Sequence, residues 1–539
     1  MDRRQFLVSL GGAGLGLVVA AAIEACGSQP SPIRPSGSVP RRSGEPSATP
    51  PATPTASIAS SGPASSGPRP SRDTAIAIEN RRPGDRRWDL RRSDGRPVAQ
   101  AFTSAASAAP GDTLDLHLDS HMEVDVEWYR LGWYHGAGGR LVQTTRHLPP
   151  NPAGPPTIDA LTGRAEAPFS SPVSITIPSE WPSGLYLAVV RPPTGTPGSA
   201  PFVIRPAPGA PVAPVLFVSA AITWQAYNAW GGADLYDASS ADTPQEARGR
   251  RAVQVSFDRP YLLANGAGYL PRWELPFVRW QEREGRAVDY CADVDLELHP
   301  ELFAGRRLLV FAGHHEYWSR PMRSTLEAAI ASGVNVVFLS ANEIFWQVRL
   351  EPSPLGPARR ITCYKSRALD PLAATQPELT TVRWRAKPVD DPEAVVIGQM
   401  YGHIVRRVAD WVVVGSDHWL YEGTGLRDGD HLLNLIGQEY DTFFPQYAPP
   451  GTKILARSPV EAVIHGILPG GQPADPNVQT ATIYTADSGA TVFAAGTFQW
   501  SWALDGYGDR SYKGVATPRD ERVVRMTRNL FDRLGDGPA

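Results

Sequence analysis

The sequence predicts an α/β domain built on a buried parallel sheet, preceded by an antiparallel β-sandwich. Three apolar runs, Pro214–Ala220, Arg307–Gly313 and Val334–Ser340, are continuous rather than alternating, which marks strands covered on both faces of a parallel sheet. Upstream, from about Thr74 to Pro206, the apolar period is two: Leu114, Leu116, Leu118; Val124, Val126, Trp128; Val173, Ile175, Ile177; Leu185, Leu187, Val189. Short alternating strands between Gly/Pro loops suit a sandwich. Each continuous run also leads into a loop crowded with tyrosine, histidine, asparagine and glutamate, namely Thr223–Tyr236, His314–Ser319 and Ala341–Trp346. Ligands of open α/β sheets bind outside the carboxyl ends of the strands. Tyr227, Tyr236, His314, Glu316, Asn342 and Glu343 are therefore expected to face one crevice.

Residues 1–26 read as a targeting segment. Arg3-Arg4 precede Phe6-Leu7 and a Gly- and Ala-rich apolar stretch that ends at Cys26. This layout is similar to a twin-arginine export signal closed by a bacterial lipoprotein box. The expected product is exported and extracytoplasmic, anchored to the cell membrane by lipid on Cys26. A permanent membrane span is the alternative, weakened by Gly11, Gly12, Gly14 and Gly16. Residues 27–72 are almost entirely Ser, Pro, Ala, Gly and Thr with a few arginines, a composition that cannot bury a core and predicts a disordered tether. A formal net charge of −3 with no basic stripe gives no reason to invoke nucleic acid. Cys291 and Cys363 are the other cysteines; in an exported chain they are candidates for a disulfide, the alternative being two separate buried thiols.

The sandwich is expected over residues 73–207, a Pro/Gly/Ala-rich joint over Pro206–Ala213, and the α/β domain over residues 213–535. Within the latter, Ser319 is a predicted N-cap with Pro321 in the first turn, Met322, Leu326, Ala329 and Ile330 form a helical stripe, and Gly333 ends it. With its flanking apolar runs this is a βαβ unit. Leu275–Arg283 reads as a helix before a strand at Ala287–Tyr290. Further β-rich stretches are Ala394–Ile397, Trp411–Gly415, Thr480–Tyr484 and Thr491–Ala495, and Arg519–Arg533 reads as a closing amphipathic helix.

Glu316, directly after an apolar strand, is poorly placed for packing, since carboxylates are rarely buried without a partner. It is either a metal ligand or acid/base, or part of a helix-capping cluster. No HExxH, paired CxxC or sheet-borne G-x-S-x-G motif is present, which removes the common zinc and serine-hydrolase signatures. Gly415-Ser416-Asp417-His418 reads as a loop, because neighbours in a chain rarely satisfy triad geometry.

The segments TWQAYNAWGG (223–232), ADLYD (233–237), GHHEYWS (313–319) and ANEIFW (341–346) resemble the C-terminal domain of the large (β) subunit of N,N-dimethylformamidase, over roughly Pro214 to Leu534. The resemblance implies an amidotransferase-like (flavodoxin-like) three-layer α/β fold, hydrolysis of small N-substituted formamides, and a mononuclear iron held by two tyrosines and one glutamate. Mapped by motif, the metal ligands are Tyr227, Tyr236 and Glu316. Phenolate and carboxylate are hard anionic donors suited to ferric iron. His314 becomes the preferred proton shuttle, and Glu343 and Asn342 orient water or substrate. Trp224, Trp230, Trp318 and Trp346 either line an apolar pocket or pack structurally. His315 stands where a proline is expected, Glu343 where a small residue is expected, and the export and tether segments have no counterpart in the cytosolic enzyme. A homo-oligomer or a small partner subunit is compatible with this reading. The rival is a non-catalytic cell-surface lipoprotein that binds a glycan or small molecule.

Overall fold

Seven strands form the central sheet, in the order Val288–Ala292, Val215–Ser219, Leu308–Phe311, Asn335–Phe338, Thr491–Ala494, Val478–Thr485, Lys453–Pro459. The computed structural model describes residues 74–90, 97–236, 251–262, 268–463, 475–508 and 510–536. The targeting segment, Cys26 and the tether lie outside the described residues. No helix among the described residues is long and apolar enough to cross a membrane.

The first five strands of the sheet run parallel, with Val215 opposite both Val288 and Leu308, Leu308 opposite Asn335, and Val336 opposite Val492; the last two are antiparallel. Val215–Ser219 and Leu308–Phe311 are buried at every position, which explains their unbroken apolar runs. Ser319 caps the Arg320–Ala331 helix by accepting from the Met322 amide, Pro321 occupies its first turn, and Met322, Leu326, Ala329 and Ile330 are buried. Gly333, at φ +94°, turns the chain into the next parallel strand, a conformation that costs other residues. The Leu275–Glu284 helix ends at the left-handed Gly285, and Phe277 stacks on Phe217 of the sheet at 5.5 Å. Glu521–Leu530 is capped by Asp520, and its continuation sets Phe531 against Trp280.

Ala394–Ile397 departs from its expected strand: it is a four-residue helix closed by Gly398 at φ +87°. Four apolar residues are too few to show a period, and the flanking Pro392 and Gly398 decide the geometry.

The upstream segment forms a three-stranded antiparallel sheet of Ala99–Thr103, Thr113–Ser120 and Val173–Thr176, and a five-stranded sheet of Ser107–Ala108, Gly198–Ile204, Gly184–Arg191, Val124–Leu131 and Gly139–Leu148. Leu114, Leu116, Val126, Trp128, Tyr186 and Phe202 fill one core between them. The other face of the five-stranded sheet is not exposed. Tyr129, Leu131, Leu185, Leu187 and Val189 share a second core with Phe217 and Tyr290 of the central sheet. The described residues accordingly belong to one compact unit. Inside that contact lies a fully buried ion pair, Arg130 to Glu282 at 2.7 Å.

The disulfide expectation is corrected. Cys291 and Cys363 are both buried free thiols. Cys291 sits in the edge strand Val288–Ala292 of the central sheet, whereas Cys363 follows Gly356–Thr362, a strand of a separate four-stranded sheet. Burial raises both thiols above their ordinary range, as two separate buried thiols require.

Candidate functional site

The site lies at the carboxyl ends of the parallel strands, and the sequence there is built to pin one glutamate. After Val215–Ser219 the chain makes the short helix Ala221–Ala226, capped by Tyr227. After Leu308–Phe311 it carries His314, His315 and Glu316 into the strand Tyr317–Ser319, which pairs in parallel with the Trp346 strand. The Glu316 amide donates to Thr223 Oγ1 at 3.2 Å. Its carbonyl accepts from the amides of Phe345 and Trp346 at 3.0 and 2.8 Å. Two segments distant in sequence therefore hold one backbone position.

Glu316 is 1% exposed, and its side chain receives four polar groups. Tyr227 donates its hydroxyl to Oε2 at 2.6 Å, and Tyr236 donates to Oε1. His314 Nε2 lies 3.0 Å from Oε2, and the Trp346 indole donates to Oε1 at 3.1 Å. Tyr227 and Tyr236 stack at 4.7 Å. Burial alone would raise the Glu316 carboxyl, but the hydrogen bond and charge of His314, then Lys365 and Tyr227, hold it below its ordinary value. Burial and then the Glu316 charge push both phenols well above their usual range. Burial disfavours the His314 imidazolium, yet the hydrogen bond and charge of Glu316 outweigh it and raise the group. The set rests as an anionic carboxylate receiving two phenol protons.

Asn342 and Glu343 stand beside this set without touching Glu316 in a hydrogen bond. Asn342 has φ +55°; its amide donates to Asp441 and its Nδ2 donates to Glu439 Oε2, each at 2.9 Å. Glu343 Oε2 accepts from the His315 amide at 3.0 Å, while Oε1 is buried with no partner. Burial, then the Asp441 charge, raises its carboxyl well above the ordinary range. His315 is buried and kept neutral, its imidazolium disfavoured down to about 3 by burial and by His314.

Of the four tryptophans, Trp346 alone touches the Glu316 carboxylate. Trp224 donates to Glu274 at 2.8 Å, Trp318 donates to the His315 carbonyl at 2.7 Å, and Trp230 bonds Gln100 of the sandwich at 2.5 Å. These three pack the framework. The Gly415–His418 segment is a loop, with His418 accepting from the Leu420 amide.

Several groups have no signal in the sequence. Glu439 lies on the antiparallel strand pair of Met400–Ile404 and Glu439–Thr442; burial raises its carboxyl to about 7 against the opposing charge of His314. Lys365 places Nζ 3.2 Å from the Tyr236 ring centroid and donates to Tyr317 at 2.8 Å, and burial lowers it to about 7. Tyr269 packs edge-on to Tyr227 at 5.1 Å and Phe498 edge-on to His314 at 4.5 Å. Lone residues in otherwise ordinary stretches, they are marked only by tertiary contact.

The sequence profile of the family described as "N,N-dimethylformamidase beta subunit-like, C-terminal" matches residues 125–514. The chain belongs to this family. The match begins inside the sandwich strand Val124–Leu131, upstream of the Pro214 start expected from the motifs. That agrees with the five-stranded sheet sharing a core with the central one. The N,N-dimethylformamidase beta subunit of Alcaligenes sp is 22% identical over 439 residues, 68% of this chain and 54% of its own length. That of Paracoccus aminophilus is 23% identical over 356 residues, 57% and 43%. The chain thus spans about half the length of these relatives. A solved cycloisomaltooligosaccharide glucanotransferase of Paenibacillus sp. is 14% identical over 24% of this chain and 18% of its own, at a TM-score of 0.14; a likeness that low carries no argument.

Proposed function

We propose that this N,N-dimethylformamidase-like chain hydrolyses the C–N bond of a small amide, with iron held by Tyr227, Tyr236 and Glu316. The observation that carries the reading is the meeting of two phenols on opposite oxygens of one buried carboxylate. The donor set fits: with both phenols deprotonated it carries three negative charges on hard oxygens, matched to a ferric ion. Bound iron supplies Lewis acidity toward an amide carbonyl and lowers the pKa of water. The assignment of the central sheet to the amidotransferase-like (flavodoxin-like) three-layer class is part of the same proposal.

Amide and water yield a carboxylic acid and an amine, and the departing nitrogen must receive a proton. His314, with Nε2 at the Glu316 carboxylate, is placed to hold that proton. Glu439, poised near neutrality and fixed by Asn342, can take one up or return it. Glu343 secures the His315 amide and with it the Glu316 loop. Tyr269 and Phe498 close the apolar sides of Tyr227 and His314, limiting water.

Export by the Arg3-Arg4 segment, lipid anchoring at Cys26, and a small partner subunit or homo-oligomer complete the proposal; the relatives are themselves named as beta subunits. The test is amine release from a panel of N-substituted formamides by the full chain, abolished by stripping iron and restored by returning it. A chain that is fully iron-loaded and releases no amine from any of them would overturn the amidase reading in favour of a binding protein.

A further inference from the structure

Among the described residues no acid forms an ion pair with Arg383. Trp384 donates its amide to the Phe345 carbonyl at 3.0 Å and Gln347 donates to the Val382 carbonyl at 2.9 Å. This pairing fixes Arg383 beside Trp346, the residue whose indole donates to Glu316. The Arg383 guanidinium lies 5.6 Å from the Phe345 ring centroid and 5.5 Å from that of Trp346. The side chain is half-buried, and among the described residues it makes no hydrogen bond or ion pair.

Its surroundings make this unusual. Arg385, two residues on and over the same Phe345 ring, has both Glu393 oxygens within hydrogen-bond distance of Nε. Arg130, Arg279, Arg323, Arg349 and Arg359 each have a carboxylate within 3.0 Å. A guanidinium taken partly out of water is ordinarily supplied with an anion. Stacking on two aromatic faces holds its plane but leaves the donor edges unused. Burial, then the charge of Arg385, depresses it below the ordinary arginine range, a cost that an incoming anion relieves.

We infer that Arg383 is the anchor for a carboxylate on the substrate, so that the amide hydrolysed here bears an acid group rather than being wholly neutral. The planar fork suits bidentate capture of a carboxylate, and the indole of Trp346 spans from that anchor to Glu316. Arg383 thus acts in binding and takes no part in bond cleavage.

The inference rests on the amidase reading, and the experiment separates the two. The full chain is given N-formylglycine and the neutral, similarly shaped N-isobutylformamide, and kcat/KM for amine release is measured for each. The wild type is expected to prefer N-formylglycine. Arg383→Gln should reduce that preference by about ten- to a hundredfold, the value of a charge-assisted contact. Arg383→Lys, which keeps the charge without the fork, should retain part of it, a pattern that a packing role does not produce. Equal use of both amides by the wild type, or the same preference in Arg383→Gln, overturns the anchor. If neither amide is hydrolysed, calorimetry with N-formylglycine decides. Binding that is lost in Arg383→Gln keeps the anchor while the amidase reading falls; no binding, or binding unchanged in the variant, removes it.

Discussion

Tyr227 and Tyr236 stack with ring planes 12° from parallel and centroids 4.7 Å apart, and their hydroxyls divide the two oxygens of Glu316 between them. One ring ends a helix and the other follows a glycine turn, so their spacing must be set by something that grips both. Arg259 does so. Fully buried, it donates to the Gln225 carbonyl and side chain before Tyr227, and to the Trp230 and Ala233 carbonyls before Tyr236.

Arg259→Lys is therefore expected to weaken iron binding about ten- to a hundredfold while the protein stays folded. Lysine keeps a cation but cannot serve carbonyls on both sides of the turn at once. Competition against a graded chelator, read beside circular dichroism, checks this. Unchanged iron affinity would leave Arg259 with no part in spacing the tyrosines.

Glu282 is expected to be a stability residue for the whole molecule. It accepts from Arg130, Asn80 and Tyr290 at 2.7–2.9 Å and thereby links the sandwich to the central sheet. Glu282→Ala leaves Arg130 buried and unpaired, a change that costs about 3–5 kcal/mol. Urea unfolding should show a lower midpoint with one shared transition, rather than early loss of the sandwich alone.

Acid should weaken the same region through Glu79. Burial raises its carboxyl, but the Arg130 charge and hydrogen bonds from Arg140 and Tyr134 outweigh that and place it below its ordinary value. A folded pKa below the unfolded one gives stability that is present above the unfolded carboxylate value of about 4.3 and is lost as pH falls through the folded value. Stability of the wild type relative to Glu79→Gln should thus shrink between about pH 6 and pH 3. A difference that is flat with pH would show that Glu79 carries no such linkage.

The framework was legible wherever a pattern was long enough to show its period. Leu275–Arg283 is the helix Leu275–Glu284, and the Ser319 cap with Pro321 is present as read. Tyr227, Tyr236, His314 and Glu316 could be singled out because each follows a strand end, and the structure brings these four together. Ala394–Ile397 was too short to distinguish helix from strand. The buried back of the five-stranded sheet was invisible because Leu185, Leu187 and Val189 alternate with Tyr186 and Ala188, which are also apolar and face the other core. Glu439, Lys365 and Arg383 could not be read at all: each is a lone charge whose meaning depends on which ring or carboxylate the fold sets against it.

The central claim is that Glu316, rather than acid in general, holds the metal with two tyrosines. The most direct measurement is iron content and visible spectrum of purified Glu316→Gln beside Glu343→Gln. The wild type should hold about one iron per chain and show a tyrosinate-to-iron charge-transfer band. Glu316→Gln, equal in volume but without the charge, should stay folded and lose both iron and band, whereas Glu343→Gln should keep them and lose mainly turnover. Iron retained in Glu316→Gln and lost in Glu343→Gln would contradict the account and move the ligand set to the Asn342-Glu343 loop.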